Sequence, residues 1–218
     1  MEPLGQPGDQ PCFGGRQIHT GHADLGESHL ACPLLNPRDE LTAADHPGIV
    51  GTPSPPSLTL AWADEDATQA FALRLAGAAE LRHAFIALHG DLGAGKTTFV
   101  RHLLRALGIE GRIKSPTYAV VEPHQVSGPD GAWPVSHFDF YRFDDPREWE
   151  DAGFRDIFAA EGLKLAEWPE KAAGVLPVPD LDIALTSQAD ETRSVTLTAN
   201  TRLGEALLRH AEAARTSE

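Results

Sequence analysis

Read for the spacing of its apolar residues, the chain divides near residue 57. Before that point Pro and Gly recur and no period of 2 or 3.6 appears. Such a stretch cannot bury enough apolar area to offset its ordering entropy. Residues 1–57 are therefore expected to be a disordered extension, unless the true start is at Val50 or a nearby codon. From Leu58 the pattern changes, and a folded domain is expected over residues 58–218. Leu58–Trp62 reads as a short strand. Asp64 or Asp66 then caps a helix with Phe71, Leu75 and Ala78 on one face. Ala84–His89 is a continuous apolar run, the mark of a buried parallel strand. Thr98–Leu107 alternates as an amphipathic helix, and Gly108 stops it.

Further along, Thr117–Pro123 and Trp133–Phe140 flank the turn Gly128-Pro129-Asp130-Gly131 and predict an antiparallel hairpin. Asp145-Pro146-Arg147-Glu148 is a capping box with Pro at the first helical position. Gly162–Trp168 is another short strand, in which Lys164 interrupts the apolar run and predicts one exposed face. Leu181–Leu185 and Arg193–Thr198 form a second hairpin. Asn200 or Thr201 caps a last helix that turns Leu203, Leu207 and Ala211 inward. No internal repeat is visible.

Between the strand at Ala84–His89 and the helix at Thr98–Leu107 stands Gly90-Asp91-Leu92-Gly93-Ala94-Gly95-Lys96-Thr97-Thr98. This is the phosphate-binding P-loop pattern, in the strand–loop–helix context that it requires. The glycines allow positive φ and bring amide N–H groups around phosphate oxygens. Lys96 supplies a point charge for the β- and γ-phosphates. Thr97 offers a hydroxyl to Mg²⁺. The following helix aims its N-terminal amides at the same anion. The fold class expected is α/β, a P-loop NTPase-like three-layer domain whose hairpins make the sheet mixed.

Composition narrows the partners. The 218 residues carry a formal net charge of −14. A protein gripping nucleic acid by itself needs a basic face, so the charge argues against that role. The charge suits docking on a basic protein surface. No run reaches transmembrane length, and Met1-Glu2-Pro3-Leu4-Gly5 has no signal-peptide character, so a cytoplasmic location without membrane attachment is expected. Cys12 and Cys32 cannot frame a disulfide-stapled fold. With His19, His22 and His29 they match no zinc spacing.

Hydrolysis needs more than a P-loop: an acid near Mg²⁺ and a group that positions water. Glu167 ends the Gly162–Trp168 strand where such an acid sits, and Trp168-Pro169 forces the chain out there. In His137-Phe138-Asp139-Phe140-Tyr141-Arg142 the period of two places His137, Asp139 and Tyr141 on one face and the two Phe side chains on the core face. That polar face suits a switch or a water-orienting network, and Arg142 could stabilise charge developing on the γ-phosphate. Ser115 and Thr117, in Ser115-Pro116-Thr117, lie where P-loop proteins sense the γ-phosphate; their hydroxyls either meet phosphate or metal-bound water, or cap a turn.

These motifs together resemble the TsaE (YjeE) family of small ATPases in bacterial tRNA threonylcarbamoylation. The likeness rests on the P-loop, Lys114-Ser115-Pro116-Thr117-Tyr118, the His137–Arg142 strand, Gly153-Phe154-Arg155-Asp156 and Glu167-Trp168-Pro169. It runs from about Leu58 to the last helix. The resemblance implies binding and hydrolysis of ATP with Mg²⁺. It implies work with a TsaB–TsaD pair that forms N6-threonylcarbamoyladenosine beside the anticodon of tRNAs reading codons that begin with A. It further implies that Thr97 and Glu167 hold Mg²⁺, that Asp139 is functionally important, and that Ser115 and Thr117 form a switch-like loop. Catalytic roles accordingly fall to Lys96, Asp139 and Glu167. Position alone suggests Glu65 and Arg193 as adenine contacts. Two other readings stay open: a small-molecule P-loop kinase, although no Arg-rich lid follows the P-loop helix, and a nucleotide-gated binding module that never hydrolyses.

Overall fold

A computed structural model describes residues 54–128, 131–143, 149 and 152–213. The expected extension up to residue 53, the Asp145-Pro146-Arg147-Glu148 capping box and the centre of the Gly128–Gly131 turn lie outside the described residues. Among the described residues seven strands form one sheet: β1 (Ser57–Trp62), β2 (Phe85–His89), β3 (Val121–Gly128), β4 (Gly131–Asp139), β5 (Leu163–Glu167), β6 (Leu181–Ser187) and β7 (Arg193–Ala199), in the order β1-β7-β6-β2-β5-β4-β3. β6, β2, β5 and β4 run parallel in the middle. The hairpins β3–β4 and β6–β7, and β1 on β7, are antiparallel, so the sheet is mixed as the pattern implied.

The helices described in full are α1 (Glu65–Ala76), α2 (Lys96–Ala106), α3 (Phe154–Ala159) and α4 (Arg202–Ala213). Asp64 is the N-cap of α1 and accepts from the Ala67 amide at 2.9 Å. Thr201 receives the Gly204 amide at the head of α4 at 3.1 Å. α2 ends in a Schellman arrangement: Ile109 N–H donates to Leu104 O, and Gly108 N–H, at φ +86°, donates to Arg105 O.

Residue parity decides what each face does. In β2, Ile86 and Leu88 join Phe71, Leu75, Phe99, Leu103 and Leu207 in one buried cluster with α1, α2 and α4. Phe85 and Ala87 point the other way, into a cluster with Phe138, Phe140, Phe143, Trp149 and Phe154. Each such Leu, Ile or Phe side chain, fully buried, contributes about 1.5–3 kcal/mol of transfer free energy. The same alternation in β4 and β5 sends Val135, Leu163 and Leu165 to the α2 side, and Phe138 and Ala166 to the aromatic side. His137, Asp139 and Glu167 share the parity of the first set, so they face α2 and the P-loop.

Two expectations are corrected. The strand predicted at Thr117–Pro123 begins only at Val121. Thr117–Val120 form a turn, closed by Val120 N–H to Pro116 O at 2.7 Å, with Val120 at φ +64°. A left-handed residue cannot continue an extended strand. Lys164 does not mark an exposed face, because all five residues of β5 are buried. β5 is a central parallel strand covered on both sides. The Lys164 ammonium donates to the carbonyl of Ala160, the C-cap of α3, where a cation meets the negative end of the helix.

Candidate active site

The P-loop leaves β2 at His89 and enters α2 at Lys96. Gly90 and Gly95 adopt φ of +132° and +107°, which an L side chain rarely tolerates. At Gly90 space forbids one as well: a Cβ there would lie 2.3 Å from Leu185 O. The loop is thus pressed against β6. Gly95 is the N-cap of α2 and offers no side chain, so the first helical N–H groups remain available to an anion.

Around this loop opens a cleft lined by Leu92, Gly93, Gly95, Lys96, Thr97, Thr98, Ser115, Thr117, Asp139, Tyr141, Glu167 and Trp168. Thr97 Oγ1 lies 3.0 and 2.7 Å from the two Glu167 carboxylate oxygens. β5 delivers Glu167 because it pairs with β2, placing Glu167 opposite Leu88, and with β4, placing it opposite Asp139. Asp139 is an acceptor hub. It takes the Ser115 hydroxyl, the Thr117 hydroxyl at 2.7 Å and the Tyr141 amide at 2.9 Å. The Ser115-Pro116-Thr117 turn is thereby tied to the end of β4.

Lys96 is buried, and its ammonium donates to Gly90 O at 2.5 Å and Asp91 O at 2.9 Å. It also lies 3.7 Å from the Trp168 ring centroid, a cation–π contact. Burial lowers its pKa below the usual 10.5. The carboxylates of Glu167, Glu170, Asp139 and Asp91 pull in the opposite direction.

Other expected residues fall elsewhere. Gly90, Asp91 and Ala94 contribute backbone: Gly90 and Asp91 through their carbonyls to Lys96, Ala94 through its carbonyl to Arg193 Nε at 3.1 Å. His137 does not line the cleft; it sits behind Glu167. Arg142 is exposed, with its guanidinium 4.6 Å from the Tyr118 ring centroid and outside the cleft lining. Glu65 pairs with His102 Nε2 at 2.9 Å, whereas Arg193 does reach the P-loop. Trp168 lines the cleft and packs on Tyr141 at 5.0 Å, a site role that the sequence did not assign to it. Its place directly after Glu167 was the available signal.

The donor set suits a hard cation. A hydroxyl and a carboxylate face each other at the mouth of an anion cradle, and oxygen ligands of this kind fit Mg²⁺ with phosphate and water completing its sphere. Among the described residues no group of three or more His, Cys, Asp or Glu side chains is arranged to hold a metal by itself.

Comparison with known proteins decides the family. The model of the threonylcarbamoyl adenosine biosynthesis protein TsaE matches residues 62–195, the span that carries the P-loop, the Ser115–Thr117 turn, Asp139 and Glu167. The chain belongs to the TsaE family. It is 42% identical over 121 residues to the tRNA threonylcarbamoyladenosine biosynthesis protein TsaE of Haemophilus influenzae, covering 56% of this chain and 73% of that protein. The TsaE protein of Bacillus subtilis is 38% identical over 114 residues, covering 52% and 68%. Among solved structures, Bacillus subtilis YdiB superposes with a TM-score of 0.59 at 27% identity, over 77% of this chain and 100% of that one. Membership ties this TsaE chain to tRNA threonylcarbamoyladenosine biosynthesis. Among its described residues no helix is long and apolar enough to cross a membrane.

Proposed function

We propose that this chain binds and hydrolyses Mg-ATP in support of a TsaB–TsaD pair. In this reading the pair forms N6-threonylcarbamoyladenosine beside the anticodon of tRNAs that read codons beginning with A, in the cytoplasm, and contacts the tRNA itself. The observation that carries the proposal is the Thr97 hydroxyl bonded to both Glu167 oxygens beside the P-loop and Lys96.

The chain's own residues divide the work. The Gly90–Thr98 backbone and the head of α2 bind the phosphates. Lys96 leaves the Gly90 and Asp91 carbonyls for β- and γ-phosphate oxygens, exchanging neutral acceptors for charged ones. Thr97 and Glu167 hold Mg²⁺. When bound, the ion neutralises phosphate charge and orients the leaving oxygen. Asp139 keeps the Ser115 and Thr117 hydroxyls at the γ-phosphate end of the cleft, where they act as a switch. Tyr141 and Trp168 shield it from water.

Intrinsic turnover should be slow. No arginine is among the described residues lining the cleft, and an arginine finger is worth roughly 10³–10⁵ in rate. ADP release is the test, measured for the chain alone and with a TsaB–TsaD pair. Strong stimulation is expected, lost in Lys96→Ala with ATP affinity and in Glu167→Ala with Mg²⁺ dependence. Undiminished hydrolysis in both variants sinks the proposal.

A further inference from the structure

His137 belongs to the polar face of the β4 strand, yet it cannot orient water in the cleft. Its side chain is 0% exposed and does not reach the cleft lining. Its Nε2 lies 2.9 Å from Glu167 Oε1, and Glu167 is itself 2% exposed. Its other ring nitrogen, Nδ1, is buried without a hydrogen-bond partner. A buried N–H with no acceptor costs more than a buried lone pair, so the network assigns the ring proton to Nε2, donating to the carboxylate.

We propose that His137 is a positioning residue that locks the Glu167 carboxylate in place for the divalent ion, and so sets the Mg²⁺ requirement of nucleotide binding. The inference rests on reading Glu167 as a Mg²⁺ ligand. The Glu167 carboxylate accepts from two directions: Oε1 from β4 through His137 at 2.9 Å, and Oε2 from α2 through the Thr97 hydroxyl at 2.7 Å. β4 can reach it because His137 lies opposite Leu165 and Asp139 opposite Glu167 in the β4–β5 ladder. A glutamate at a strand end has three rotatable bonds, and one hydroxyl does not fix them. A second donor, rigid and enclosed by the sheet, removes that freedom before the ion arrives. Such outer partners of ligating groups hold ligand orientation and typically change metal affinity about 10–100-fold when removed.

The test is a Mg²⁺ titration of binding of a fluorescent ATP analogue, with a parallel series in excess EDTA. His137→Leu keeps an apolar side chain and removes the donor. It should demand about 10–100-fold more Mg²⁺ for half-maximal tightening, with affinity in EDTA moving far less. His137→Gln, whose side-chain amide can present an N–H near the Nε2 position, should recover most of the loss. A folded His137→Leu protein with the wild-type Mg²⁺ dependence overturns the inference. Should the Leu variant fail to fold, His137→Asn, whose amide is too short to reach Glu167, carries the same expectation and the same refutation. A wild-type protein whose nucleotide affinity ignores Mg²⁺ overturns the reading of Glu167 as well, and that result separates the two failures.

Discussion

A single methyl group shows how tightly the P-loop is specified. Gly90 and Gly93 both have positive φ, at +132° and +84°, but only Gly90 is crowded. A Cβ at Gly90 would meet Leu185 O at 2.3 Å and Ala94 Cβ at 3.2 Å, while at Gly93 nothing lies within 4 Å. Gly93→Ala should therefore cost only the left-handed penalty, about 1–2 kcal/mol. Gly90→Ala adds a main-chain clash with β6, so its cost in urea denaturation should exceed that of Gly93→Ala, and ATP affinity should fall with it. Equal costs would mean that β6 does not brace the loop. The glycine pattern was legible in the sequence; that β6 presses on Gly90 was not, because a strand about 90 residues downstream supplies the contact.

Among the elements, the edge hairpin β3–β4 has its own pH dependence. His124 in β3 has its pKa held below 6.5 by burial, with Glu122 opposing. As pH falls through 6.5 the unfolded chain takes up the proton before the folded one does. Stability therefore falls as pH drops from about 6.5 toward the lower folded pKa, and is regained as pH rises. His124→Gln removes this group from the balance. Denaturation at about pH 7.5 and about pH 5.5 should show a smaller acid-side loss in the variant than in the wild type. An undiminished loss would assign it to other groups. The hairpin itself was legible from its two apolar runs and Gly-rich turn. Its starting point was not, since the hydroxyls of Ser115 and Thr117 are committed to Asp139 and hold the preceding residues in a turn.

For the whole molecule, charge bears on association. A net charge of −14 on 218 residues favours encounter with a positively charged partner surface. The proposed stimulation of ADP release by a TsaB–TsaD pair should therefore need more partner as salt rises, mainly through a slower association rate, since the Debye length shrinks from about 10 Å at 0.1 M to about 3 Å at 1 M. Half-maximal partner concentration measured across a salt series checks this. A salt-independent value would point to an apolar docking surface instead.

The sequence by itself determined the P-loop, most of the strands and helices in their chain order, the mixed sheet and the family. These depend on local spacing: period 2 or 3.6, glycines where φ is positive, and a lysine and a threonine next to them. Only the tertiary structure decided which polar residues meet. Glu167 reaches Thr97 because β5 inserts between β2 and β4, a neighbour relation that local spacing does not contain. The same insertion buries Lys164 and His137, which read as surface and cleft residues when each strand was taken alone. It leaves Arg142 outside, stacked on Tyr118, because the chain turns away at Tyr141 once β4 has ended at Asp139. Side-chain alternation gives a residue its face, but what covers that face is set by elements remote in sequence.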